Sequence, residues 1–131
     1  MHTTFTPSHT ALRTFVQHGI GDLHSVNYPK YNIVKTATGF RIEMAVPGWN
    51  KEDLDVSMLG NKLEIRGVVK QELPAEETYV ERGLSGKPFR KLFELNKHIQ
   101  VQDTYMSKGM LCIDLIQKIP EHELPKKFNI N

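Results

Sequence analysis

The residues able to make or break bonds are few and scattered. Cys112 is the single cysteine, and a cysteine nucleophile needs a base held beside it. His98 is the candidate partner in the same half of the chain, a pairing that sequence alone leaves open. Against it, Cys112 sits in the middle of the strand-like run Met110 to Ile116, where a small packed residue is the ordinary role; rapid alkylation at neutral pH would mark a reactive thiol instead. Four of the six histidines, His2, His9, His18 and His24, fall in the first block of the chain, and His98 and His122 flank strand-like runs, so solvated or loop histidines are expected and no metal site. Gly83-Leu84-Ser85-Gly86-Lys87-Pro88 has the wrong spacing for a phosphate-binding loop and no hydroxyl after its lysine. H-E-x-x-H, C-x-x-C and G-x-S-x-G do not occur. The expectation is a chain with no catalytic residue, no cofactor and no metal.

The chemistry that remains is apolar contact. Phe128 and Ile130 stand two residues apart at the end of a tail that Pro120 and Pro125 keep out of helix and interior strand, and that Glu121, Glu123, Lys126 and Lys127 keep wet. In extended backbone residues i and i+2 point the same way, about 7 Å apart, so the two form a two-pronged plug that nothing in their own tail can bury. A second apolar group lies in the leader: Phe5, Leu12, Phe15, Val16 and Ile20, the last four at roughly helical spacing. An isolated helix that short is marginal in water, which leaves two readings, a disordered leader and a mobile arm that touches partner chains or other proteins.

The elements that would position these groups read as strands. Phe40, Ile42, Met44 and Val46 alternate with Arg41, Glu43 and Ala45, the period of a half-buried strand that Pro47-Gly48 stops. A tight helical turn capped by Asn50 near Asp53 follows, and alternation resumes at Leu54, Val56 and Met58. Gly60-Asn61 turns Leu54–Leu59 back onto a strand from Lys62 to Val69. Tyr31 and Ile33 open an earlier strand. Phe89, Phe93 and Leu95 share a face that also carries Lys91, Ile99 and Val101 follow, and a turn at Ser107-Lys108-Gly109 leads to Leu111, Ile113 and Leu115. Between Lys70 and Pro88 a long loop contains one brief strand-like piece, Thr78 to Glu81. A loop of that length is usually functional or reaches outside its domain, and here Tyr79-Val80 suits the open sheet edge of another chain. About seven short strands without a strong helix predict an all-β, immunoglobulin-like antiparallel sandwich. The division expected is an arm over 1–27, partly helical, the sandwich over 28–117, and a C-terminal extension over 118–131 with its terminal anchor.

At 131 residues the chain is one domain with tails. Its 17 basic and 15 acidic side chains are interspersed, which does not favour nucleic acid. No run approaches a membrane span, MHTTFTPSHT lacks the order of a secretory signal, and the lone cysteine fits a reducing compartment, so a cytoplasmic protein is expected.

Several separate motifs carry a resemblance: YPKYNI from Tyr28, AVPGWNKEDLDV from Ala45, Lys108-Gly109-Met110-Leu111 with Ile113-Asp114-Leu115 behind it, and the ending IPEHELPKKFNIN. In this order and spacing the chain resembles the small heat shock proteins, the α-crystallin domain family, and is most similar to its bacterial branch associated with inclusion bodies. The resemblance covers about residues 28–131. It implies an immunoglobulin-like sandwich whose long-loop strand, here Thr78, Tyr79, Val80, Glu81 and Arg82, swaps onto the partner's edge near Tyr31 and Ile33. It implies that Phe128 and Ile130 enter a groove on a neighbouring dimer, with Val56, Met58 and Val101 as groove residues. It also implies ATP-independent holding of unfolding client proteins by a dynamic oligomer, with the leader as a client-binding arm, and hand-over to ATP-dependent chaperones. Three positions depart from the family pattern. Phe128 replaces a branched aliphatic, Thr104 replaces an alanine, and Lys91 replaces an arginine, which turns a bidentate ion pair into a point-charge contact. The rival reading is a monomeric co-chaperone or adaptor on a related sandwich, which has no use for a swapped loop or a terminal plug.

Overall fold

In a computed structural model, residues 18–24, 26–68, 72–119 and 121–131 are described. Eight strands follow one another: β1 (Ile20–Asp22), β2 (Tyr31–Lys35), β3 (Gly39–Ala45), β4 (Leu54–Leu59), β5 (Lys62–Gly67), β6 (Phe89–Leu95), β7 (Ile99–Ser107) and β8 (Met110–Gln117). Short 3-10 turns stand at Lys51–Asp53 and Glu121–Glu123. The strands form two four-stranded sheets, β1-β6-β5-β4 and β2-β3-β8-β7, with every pairing antiparallel.

The alternation in β3 becomes burial. Phe40, Ile42 and Met44 turn inward, and Ile113 and Leu115 of the neighbouring β8 do the same. Across the sandwich they meet Leu63 and Ile65 of β5 and Phe93 and Leu95 of β6, all in one buried cluster. Edge-to-face rings strengthen this packing: Tyr31 of β2 on Phe93 at 5.0 Å and Trp49 on Phe89 at 5.6 Å. Gly67 lies directly under the second pair, where a Cβ would come within 2.5 Å of the Phe89 ring.

Turns behave as their residues require. In the β4–β5 hairpin Gly60 takes a φ of 64°, and in the β7–β8 hairpin both Lys108 and Gly109 are left-handed, at 54° and 74°. Two-residue hairpins favour such turns because their twist matches that of the strands. The turn before β4 differs from expectation in one respect. The side chain of Asn50 makes no cap; its carbonyl oxygen accepts from the Asp53 N–H at 2.9 Å, so the backbone closes the turn unaided.

One further expectation is corrected. Ile20, read as part of a helical client-binding arm, opens strand β1 and is fully buried. Its place in the helical spacing was outweighed by tertiary pairing, since β1 lies in register on β6 and Ile20 joins the shared core. The other arm residues, Phe5, Leu12, Phe15 and Val16, lie outside the described residues. Thr78 to Glu81 forms no strand within the chain. A strand needs a ladder partner; among the described residues none of this chain's strands pairs with the segment, and the pairing expected for it is with another chain.

Candidate functional site

The nucleophile pairing dissolves in the sheet. Cys112 is 5% exposed on β8, and burial first, then the charge of Glu43, pushes its thiol up against the opposing effect of Arg41. His98 accepts a backbone hydrogen bond from Lys118 through its carbonyl at 2.7 Å. That places it six residues along β8 from Cys112, about 20 Å at the rise of a strand. Among the described residues no three His, Cys, Asp or Glu side chains converge on a metal-sized site. His98 and His122 face a carboxylate instead: Glu123 lies 3.1 Å from the Lys97 ammonium, 3.6 Å from His98 Nε2 and 3.9 Å from His122 Nε2. This cluster seats the root of the tail on the turn between β6 and β7.

Beyond that root the plug stands clear. Phe128 is 82% exposed and Ile130 99%. From Leu124 to Ile130 the extended chain can reach about 23 Å. The long loop presents Val80, wholly exposed, beside the half-covered Tyr79. Arg82 lies over the Tyr79 ring at 4.4 Å and donates to the Leu84 carbonyl at 3.0 Å, which stiffens the loop tip next to Val80. Thr78 and Glu81 are exposed alongside.

The sheet edges offer places for such segments. The hydroxyl of Tyr31 on β2 donates to Asp22 on β1 at 2.8 Å, so these two strands adjoin at one flank of the sandwich and β4 and β7 end the sheets at the other. Val56 of β4 and Val101 of β7 pack half-buried against the core, and Met58 of β4 is 40% exposed. A β-bulge between Val101 and Asp103 interrupts the β7 edge, which re-aims side chains beyond it. Thr104 follows the bulge, paired with Ile113. On β2, Tyr31 and Ile33 pack against the core, while among the described residues the strand's other edge carries no ladder.

Lys91 is the buried charged residue of the described fold, 1% exposed. Its ammonium lies 2.7 Å from Asp22, donates to the Val26 carbonyl at 2.9 Å and sits 5.2 Å from the centre of the Tyr31 ring. Burial, followed by the hydrogen bond to Asp22 and its charge, drives the Tyr31 hydroxyl far above its ordinary value, so it stays a donor. Asp22 escaped the sequence reading. A lone acid in a leader has no local signature, and its partners lie on β2 and β6.

Comparison with known proteins agrees with this architecture. Residues 32–131 match the model of the Hsp20/alpha crystallin family. The small heat shock protein IbpB of Pectobacterium atrosepticum is 34% identical over 84% of this chain and 73% of its own. Among solved structures, a small heat shock protein from Synechococcus phage S-ShM2 superposes with a TM-score of 0.61 at 35% identity, covering 79% of this chain and 99% of that one. A C-terminally truncated small heat shock protein AgsA from Salmonella typhimurium gives 0.61 at 32%, covering 78% and 98%. With sheet order, hairpins and sequence in agreement, the chain belongs to the Hsp20/alpha crystallin family, the small heat shock proteins.

Proposed function

We propose that this protein is an ATP-independent holding chaperone, working without catalysis or cofactor in the cytoplasm as a dynamic oligomer of strand-swapped dimers. The observation that carries the reading is the contrast in apolar exposure: Val80, Phe128 and Ile130 project from loop and tail while the sandwich keeps open strand edges. In the dimer, Thr78 to Arg82 adds to the partner's β2 edge beside Tyr31 and Ile33, where backbone hydrogen bonds supply affinity and side chains supply register. In the oligomer, Phe128 and Ile130 seat between β4 and β7 of a neighbour, against Val56, Met58 and Val101.

The energies suit reversible assembly. Burying both plug residues contributes about 3–6 kcal/mol gross, from which ordering of the tail is subtracted. One contact is therefore weak, whereas linked contacts hold through effective concentration and still exchange. Warming loosens them, exposes the surfaces they covered, and lets those surfaces capture collapsed chains before they self-associate. The arm over 1–27 adds further apolar surface, and held clients pass to ATP-dependent chaperones for refolding.

Aggregation of a heat-labile client, followed by light scattering without nucleotide at rising ratios of this protein, tests the reading. Suppression that saturates near stoichiometric ratios is expected. A compact monomer that leaves the client to precipitate would overturn it in favour of the adaptor reading.

A further inference from the structure

Strand β6 has two sides. One pairs with β5 along its length; the other is covered by the root of the leader. Ile20, Gly21 and Asp22 lie opposite Leu95, Glu94 and Phe93, Leu23 donates its N–H to the Leu92 carbonyl at 2.9 Å, and His24 Nδ1 reaches the Arg90 carbonyl at 2.8 Å. Among the described residues the cover is thus a single extended segment with one sheet neighbour. Its side chains are read at two points. Ile20 fills a fully buried place in the core, and two residues later Asp22 meets the ammonium of Lys91. Among the described residues the close acceptors of that ammonium are Asp22 Oδ2 and, more distantly at 3.5 Å, the His24 carbonyl in the covering segment, with the Val26 carbonyl just beyond its end, while Tyr31 supplies its ring and a hydroxyl donor to Asp22.

A buried ammonium stripped of its acceptors is strongly unfavourable, so whatever lies on this edge must bring a carboxylate to that point. The backbone demand is generic, since any extended segment satisfies a strand edge. The geometry points to the outer edge of β6, centred on Lys91, as a docking site for an extended client segment carrying a branched aliphatic residue and, two positions later, a carboxylate. Residues 20–24 are its resident, autoinhibitory occupant. The inference rests on the holding function proposed above and names one place where a client strand binds and what it must carry. Partially unfolded chains expose such alternating segments, and a client strand that displaces the leader root gains the ladder and the ion pair in one step.

Disulfide trapping tests this on the full chain. A synthetic peptide matching residues 18–26 with Leu23→Cys, activated as its 2-thiopyridyl mixed disulfide, is offered to a Leu92→Cys variant, and exchange onto the Leu92→Cys thiolate with release of 2-thiopyridone is timed by mass spectrometry. The peptide retaining aspartate is expected to couple about tenfold faster than one in which it is asparagine, the size of a charge-assisted contact, and Lys91→Met should erase the difference. Equal rates for the two peptides on the Leu92→Cys chain, which need no change at Lys91, overturn the site. A Leu23→Cys, Leu92→Cys chain then closes the cover covalently. Oxidation should reduce client protection at least twofold and reduction should restore it. Unchanged protection overturns the docking site while leaving the holding function intact. If even the reduced chain gives no protection, the holding function fails, and the peptide rates still decide the site.

Discussion

The sandwich interior and the projecting segments use the same kinds of side chain to opposite ends. Phe93, Ile42 and Leu63 are wholly buried by their own chain, whereas Phe128, Ile130 and Val80 are left to water. The interior is satisfied at once on folding. The described fold leaves the projecting set uncovered, so on the function proposed above fold stability and assembly should respond to different mutations.

The largest effect expected is inside. Phe93→Ala removes a ring that packs edge-to-face on Tyr31 and leaves a cavity, at a cost of about 3–5 kcal/mol, seen as a lower urea midpoint. Gly39→Ala comes next. A Cβ there would lie 2.1 Å from the Leu115 carbonyl oxygen and 2.9 Å from Ile116 Cα, so backbone must shift in the central β3–β8 ladder. About 1–3 kcal/mol of destabilisation should follow. The comparison breaks if either variant keeps the parent midpoint.

The projecting set should behave in reverse. Phe128→Ala with Ile130→Ala should leave the denaturation midpoint within about 0.5 kcal/mol of the parent, as for exposed surface positions. Light scattering should nevertheless show particles reduced to dimers. Unaltered mass would remove the plug from the assembly.

The smallest effect concerns the outer face of β3. The hydrogen bond from Arg41 at 3.0 Å, then that from Asn32, holds the Glu43 carboxyl below its ordinary 4.5. A depressed folded value means the stabilisation is complete above the unfolded value and lost as pH falls through the folded one. Glu43→Gln should therefore differ from the parent by a small, constant amount at neutral pH, and the two stability curves should converge below about pH 4.5. Screening of an exposed pair keeps the difference small.

How far the sequence revealed this division depends on the range of the interaction. Phe40, Ile42 and Met44 were legible because a two-residue period is a local signal of a half-buried strand. The hairpin turns at Gly60-Asn61 and Lys108-Gly109 were legible for the same reason. Ile20 was misread because its spacing from Leu12, Phe15 and Val16 suits a helix, while a three-residue strand is made by its partner β6 rather than by its own propensity. The charge on the Phe89–Leu95 face was visible as Lys91, but not the Asp22 that answers it, since nothing local links a leader acid to β6. Asn50 was expected to cap through its side chain, and the backbone carbonyl proved sufficient. Phe128 and Ile130 announced themselves by lacking any neighbour able to cover them. The groove proposed to receive them, by contrast, rests on family resemblance, because Val56 and Val101 are unremarkable strand valines until the flank they share is known.

The placement of Cys112 has a practical side. Because Cys112 is 5% exposed and burial pushes its thiol up, a second cysteine introduced at exposed Lys127 should accept a maleimide dye much faster than the native one. Donor-tagged and acceptor-tagged pools, once mixed, would then test through energy transfer whether the subunits of the proposed oligomer trade places.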